Sequence, residues 1–206
     1  VFDNRDNAFT PCQSYQHLLE DSDSECLILV HDDVTIHDAD WLERVMAEFT
    51  PGVVAVGLGG ALALGHPDLY KKPYRLNDLA RYGYRSNQTD WQTHGEQETR
   101  SCRVAVLDAF FMAVRRDWLM ARGGWPVSHL THHCLDTWLA CEAAKDGKEI
   151  RMVGVSVSHH GGGSSTKPTY REAKWLQGHS MEEDHRLPHR WIYETYRGVL
   201  PFQVKP

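Results

Sequence analysis

Apolar and polar positions follow one another along this chain in blocks whose lengths suit strands and helices in turn. Val1-Phe2-Asp3-Asn4 reads as the end of a strand running into a polar turn, and a helix follows over roughly Pro11 to Leu19. Beyond the polar loop at 20–24, Cys26-Leu27-Ile28-Leu29-Val30 is a continuous apolar run of strand length. A run apolar on both faces suits a central strand of a covered parallel sheet. Asp38 is placed to cap a helix through Trp41, Leu42, Val45, Met46 and Phe49, whose spacing gives one apolar face. Pro51-Gly52 stops that helix and Val53 to Val56 is the next strand. Four glycines between Gly57 and Gly65 lack a Walker lysine and GxGxxG spacing, and read as a flexible loop.

Residues 66–100 are polar, aromatic and weakly periodic, an excursion of loops and short strands. The apolar band then resumes at Val104–Asp108 and Phe110–Val114, and a short helix from Arg115 ends at Gly123-Gly124. A longer helix spans about Leu135 to Lys145, with Gly147 as its C-terminal stop. Ile150 to Val157 predicts another strand, running into His159-His160. Helix is expected from Pro168 to about Gly178 and again near Trp191 to Tyr196. Strands alternating with helices indicate an α/β architecture.

The 206 residues suit one domain, and an apolar share of 41% with 24% charged residues is ordinary for a globular protein. A net charge of −6 argues against a broad nucleic-acid surface. No segment approaches the ~20 apolar residues of a membrane span, and no signal peptide is visible. The five cysteines form no CxxC pair, which fits reduced, mostly buried thiols and a cytoplasmic location. Thirteen histidines, some in adjacent pairs, raise the question of metal.

The strongest chemical signal is an apolar strand that delivers acids at its carboxyl end, where open α/β sheets bind ligands. Adjacent Asp32 and Asp33 repel each other unless a cation or donors compensate, although capping of the following turn explains them equally well. His159 and His160 end a second strand. Imidazole suits manganese or another first-row metal, and strand alternation lets one ring of the pair reach a common site. Asp136 opens a helix, where a carboxylate either interacts favourably with the helix dipole or serves as a general base. Trp175, Trp191, Tyr193 and Tyr196 suit packing of C-terminal helices, or a contact surface.

Taken together, these features resemble the family 2 inverting glycosyltransferases and their GT-A relatives, over nearly the whole chain to about Gly163. The residues that carry the resemblance are Leu27-Ile28-Leu29-Val30-His31-Asp32-Asp33-Val34, then Phe111-Met112-Ala113-Val114-Arg115-Arg116 and Gly123-Gly124-Trp125-Pro126. Gly147 stands eleven residues after Asp136, and His160 thirteen beyond that. The sequence departs from the family pattern at His31 (for the first Asp of a DxD), Leu135 (for a Glu) and Trp138 (for a second Asp).

The resemblance implies a GT-A fold with a mixed, mostly parallel sheet over 1–165, lacking its first strand, and a helical extension over 166–206. It implies Asp33 and His160 as ligands of Mn2+ or Mg2+, and Asp136 as the base that activates an acceptor hydroxyl. Asp3, Asn4 and Asp32 would contact a UDP- or GDP-type sugar donor. Asp108 and Trp125 would line the site of a glycan or other hydroxyl acceptor. The activity implied is metal-assisted sugar transfer with inversion. A non-catalytic module of the same fold and a metal-dependent phosphoester hydrolase are the alternatives, the latter without HxxEH-type or HxHxDH-type spacing to support it.

Overall fold

The computed structural model describes residues 8–65, 76, 82–89, 95–160 and 180–206. Helix α1 (Pro11–Asp21) begins with Thr10, whose hydroxyl accepts the Gln13 N–H while the Gln13 side chain accepts the Thr10 N–H. This reciprocal capping box satisfies two amides that a helix start otherwise leaves unpaired. Strand β1 (Cys26–Val30) follows, then the turn His31–Asp33 and strand β2 (Val34–Ile36). Helix α2 (Trp41–Ala47) starts later than expected, because the Asp38 carboxylate is engaged elsewhere. It accepts from the Arg44 guanidinium at 2.7 Å and from the Ser156 N–H at 3.0 Å.

Strand β3 (Val53–Gly57) leads into β4 (Gly59–Ala61) and β5 (Ala63–Leu64), so the glycine-rich stretch is strand and not loop. The reason is close packing: a side chain at Gly60 would meet the Val106 carbonyl, and one at Gly59 the Tyr84 hydroxyl and the Phe110 ring. Strands β6 (Tyr84–Ser86) and β7 (Glu96–Gln97) come from the polar excursion. The band at 104–114 divides into β8 (Cys102–Val104), β9 (Val106–Leu107) and β10 (Phe111–Arg115), followed by helix α3 (Arg116–Met120). Helix α4 (Leu135–Lys145) ends as expected. Gly147 has φ +64°, with its N–H on the Ala144 carbonyl and the Lys148 N–H on Ala143, a Schellman closure. The strand expected at 150–157 is two, β11 (Glu149–Met152) and β12 (Val157–His159), in different sheets. Helix α5 (Met181–Thr195) and strand β13 (Phe202–Gln203) complete the described chain.

The main sheet runs β1-β10-β3-β11-β8. Among the described residues its pairings are antiparallel except β3 with β11, so the pairing seen there is mixed and not the mostly parallel one expected. Strand β10 separates β1 from β3, and β1 lies at an edge among the described residues, with Val30 43% exposed. Side chains alternate across this sheet. Met112 and Val114 of β10 join a core with α3 and α4, while Phe111 and Ala113 join a second core with Val45 of α2. A second sheet runs β7-β6-β4-β9, and two-stranded pairs join β12 to β2 and β13 to β5. The result is a mixed α/β fold with helices on both faces of the main sheet. No helix of the described residues is long and apolar enough to cross a membrane.

The helix expected at 168–178, Trp175 among it, lies outside the described residues. Helix α5 begins some ten residues before the segment expected to be helical and seats Ile192, with Tyr196 just beyond it, in the main core. All five cysteines are free thiols, and burial pushes Cys12 up to about 12 and Cys26 to about 11.

Candidate active site

The carboxyl end of β1 is tied to β10 by the His31 N–H, which donates to the Phe110 carbonyl at 2.9 Å. A tight turn, closed from the Val34 N–H to the His31 carbonyl, then presents Asp32 and Asp33. Pairing of β2 with β12 sets His159 opposite Val34, so a residue 126 positions away in sequence arrives beside Asp33. His159 Nε2 lies 3.3 Å from Asp33 Oδ1. Its ring stacks on Phe110 at 5.0 Å and meets the His31 ring edge-on at 5.4 Å. One donor atom from each of His31, Asp33 and His159 lies within 4.8 Å of the others.

His160, the expected partner of Asp33, is exposed and meets it through the backbone, its N–H donating to the Asp33 carbonyl at 3.0 Å. Alternation along the strand gives the inward position to His159. His31, noted in the sequence as a departure from an acidic motif, therefore stands with Asp33 as a donor. Two imidazoles and a carboxylate fit Mn2+ better than Mg2+, which takes an oxygen-rich shell.

Asp108 sits between β9 and β10, with its N–H on the Gly59 carbonyl. The Tyr84 hydroxyl donates to its Oδ2 at 3.0 Å, and Gln88 Nε2 donates to that hydroxyl at 2.7 Å. Burial raises the Asp108 carboxyl above its usual range, opposed by the Tyr84 hydrogen bond and by His159 and His31. The His31 imidazole is lowered, first by burial and then by His159, against the pull of Asp108, Asp33 and Asp32. Tyr84 and Gln88 carried no sequence signal, because they come from the aperiodic excursion.

Asp136 occupies the first turn of α4, just after Cys134 at φ +68°. Its Oδ1 accepts the Thr137 N–H at 2.6 Å and the Thr137 hydroxyl at 3.2 Å. Burial nonetheless pushes its carboxyl up to about 6, and the charge of Asp108 adds to the rise. His132 is lowered by burial and also feels His31. Electrostatic influence thus passes from Asp136 to Asp108, from Asp108 to His31 and His159, and from His31 to Asp33 and His132.

Asp32 is exposed beside the trio. Trp125, expected on the acceptor side, is 3% exposed and packs against Trp138 and Tyr15. Its ring is a core element here, because the two φ-positive glycines before it turn the chain inward. Asp3 and Asn4 lie outside the described residues.

Residues 5–182 match the model of a family described as glycosyltransferase-like. No curated protein matches the chain. Among solved structures the chain is similar to A197 from STIV, at 16% identity and a TM-score of 0.43, over 72% of this chain and 64% of that one. The match therefore spans less than two thirds of that protein's length.

Proposed function

We propose, from the membership of this chain in the glycosyltransferase-like family, that it moves a sugar from a nucleotide-diphosphate donor to an acceptor hydroxyl with inversion, with Asp136 as the base. The observation that supports this most is a carboxyl raised to about 6 at the head of α4, which feels the charge of Asp108, an acid that in turn feels His31 and His159 of the trio. A base with a pKa near the working pH combines adequate basicity with a large deprotonated fraction. The arrangement is compatible with a GT-A fold, which would put the donor at the carboxyl ends of β1 and β12.

In this reading His31, Asp33 and His159 would hold a Mn2+-class ion, which when bound would supply positive charge to offset that of a diphosphate leaving group. Asp32 takes the donor side together with Asp3 and Asn4, and Asp108 positions the acceptor. The Asp136 carboxylate takes the proton from the acceptor hydroxyl as that oxygen bonds to the anomeric carbon. The bond from that carbon to the diphosphate breaks, and its electron pair leaves with the nucleotide. One displacement on one face inverts the centre, and no covalent enzyme intermediate is needed.

Titration with Mn2+ and UDP tests this. Coupled binding that disappears in Asp33→Ala and His159→Ala is the expected result. Mn2+ binding indifferent to nucleotide, with hydrolysis of a simple phosphoester, would overturn it in favour of a hydrolase.

A further inference from the structure

The polar excursion sends a chain of hydrogen bonds from the interior to the candidate site. Residues 87–89 run beside β12. Gln88 bridges Val157 in parallel, the Thr89 N–H donates to the Val157 carbonyl at 2.9 Å, and the Thr89 and Ser158 hydroxyls are 2.8 Å apart. This pairing sets Gln88 beside a residue two positions before His159. The Gln88 side chain, 8% exposed, donates from Nε2 to the Tyr84 hydroxyl at 2.7 Å, and that hydroxyl donates to Asp108 Oδ2 at 3.0 Å. Tyr84 is fully buried and Asp108 half-buried, so the chain begins inside the protein and ends at its surface. Phe110, two residues after Asp108, carries the stacked His159 ring, and Asp108 feels both His159 and His31.

The chain has a fixed direction. A carboxylate only accepts, so the Tyr84 proton goes to Asp108 and the Tyr84 oxygen is left to accept. Burial and the Asp108 carboxylate raise the Tyr84 hydroxyl well above its usual range, against hydrogen bonds from Ser86 and Gln88, so it keeps that proton. From Gln88 only the NH2 end of the amide can donate to it. Turned over, the amide would set its oxygen against the Tyr84 oxygen and compete with Asp108 for one proton. The orientation that serves Asp108 leaves Gln88 Oε1 buried with no hydrogen-bond partner among the described residues. An apolar side chain of the same length would fill the space without that cost, so packing alone does not account for an amide here.

We propose that Gln88 is a positioning residue: by donating to Tyr84 it holds the Asp108 carboxylate in one orientation toward the acceptor hydroxyl. This role rests on the reading that Asp108 positions the acceptor. A carboxylate free to turn would hold a hydroxyl in several poses, and one tied through Tyr84 to Gln88 holds it in fewer.

The test uses the full chain carrying aspartate labelled at its side-chain carboxyl carbon, read by NMR without nucleotide or metal. The Asp108 resonance is the one missing from Asp108→Asn. Gln88→Met keeps the length and removes the donor, and should move that resonance in the same direction as Tyr84→Phe, by less. Gln88→Asn, whose amide stops one carbon short, should do the same and decides the matter if the methionine variant fails to fold. In the Tyr84→Phe background Gln88→Met should add nothing. Thr89→Val removes the neighbouring bond to Ser158 and should leave the resonance in place. A resonance unmoved by the Gln88 variants overturns the proposal. So does an equal movement in Thr89→Val, which would mean that the segment and not the amide acts on Asp108. Glycerol, a probe of hydroxyl binding, should shift the parent's Asp108 resonance at several-fold lower concentration than in Gln88→Met, and equal concentrations would overturn the positioning role. Coupled binding of Mn2+ and UDP, read by calorimetry, should be unchanged in Gln88→Met, and its loss would put Gln88 on the donor side instead. Absence of that coupling in the parent protein counts against the proposed transfer, while the Asp108 resonance still decides the role of Gln88.

Discussion

At the head of α4 one carboxylate is under opposing influences. The Thr137 N–H and hydroxyl favour the charged form of Asp136, while burial and the charge of Asp108 oppose it and prevail. In the proposed reaction the deprotonated form of Asp136 is the one that acts, so kcat/KM should climb tenfold per pH unit up to about 6 and level off above. A flat profile across that range would remove Asp136 from the chemistry. Asp136→Asn should lower transfer by about 10²–10⁴ while leaving Mn2+ and UDP binding intact. The same shift has a stability sign. A carboxyl raised from 3.8 to about 6 stabilises the fold most below its unfolded value, and that contribution is lost as pH rises through 6. Asp136→Asn should therefore raise the denaturation midpoint more near neutral pH than at about pH 4. Tyr84→Phe acts on the neighbouring acid. It strips Asp108 of a buried donor, which should cost about 1–3 kcal/mol by urea denaturation.

At the scale of elements, caps and turns decide where the chain's helices and strands end. Gly147 is the clearest case: φ is +64° and a side chain there would meet nothing within 4 Å. Gly147→Ala should therefore cost about 1 kcal/mol from backbone strain alone, read as a lowered urea midpoint with an unchanged slope. That stop was legible because a helical period ended at a glycine. The break between β11 and β12 was not. Val153 to Ser156 is nearly as apolar as its flanks, and the chain leaves the main sheet there because its onward partner, β2, comes from the far end of the sequence. Asp38 is similar: its position suited a cap, but Arg44 and the Ser156 N–H bind its carboxylate more fully than a helix end could.

For the whole molecule, the docking of α5 connects the C-terminal residues to α4. Ile192 and Tyr196 enter the main core, and the Tyr196 hydroxyl donates to Glu142 Oε1 at 2.5 Å while Arg122 lies 3.2 Å from the other oxygen. Burial and that carboxylate together raise the Tyr196 hydroxyl above its usual range. Tyr196→Phe leaves a buried carboxylate short of one donor and should cost about 1–3 kcal/mol. In a double-mutant cycle with Glu142→Gln, a coupling energy near zero would mean that the two side chains touch without stabilising the docked helix.

The amino-acid order alone determined the alternation of strands and helices, the acids at the end of β1, the acid at the head of α4 and the glycine that closes it. Each of these is a local event, written in periodicity, capping and backbone freedom. Only the tertiary structure decided that His159 and not His160 turns toward Asp33, that His31 stands with it, and that Trp125 belongs to the core. It also decided that β10 separates β1 from β3 and pairs antiparallel with both. Those outcomes depend on which distant strand pairs with which and in what register, and a one-residue slip in register exchanges the two faces of a strand.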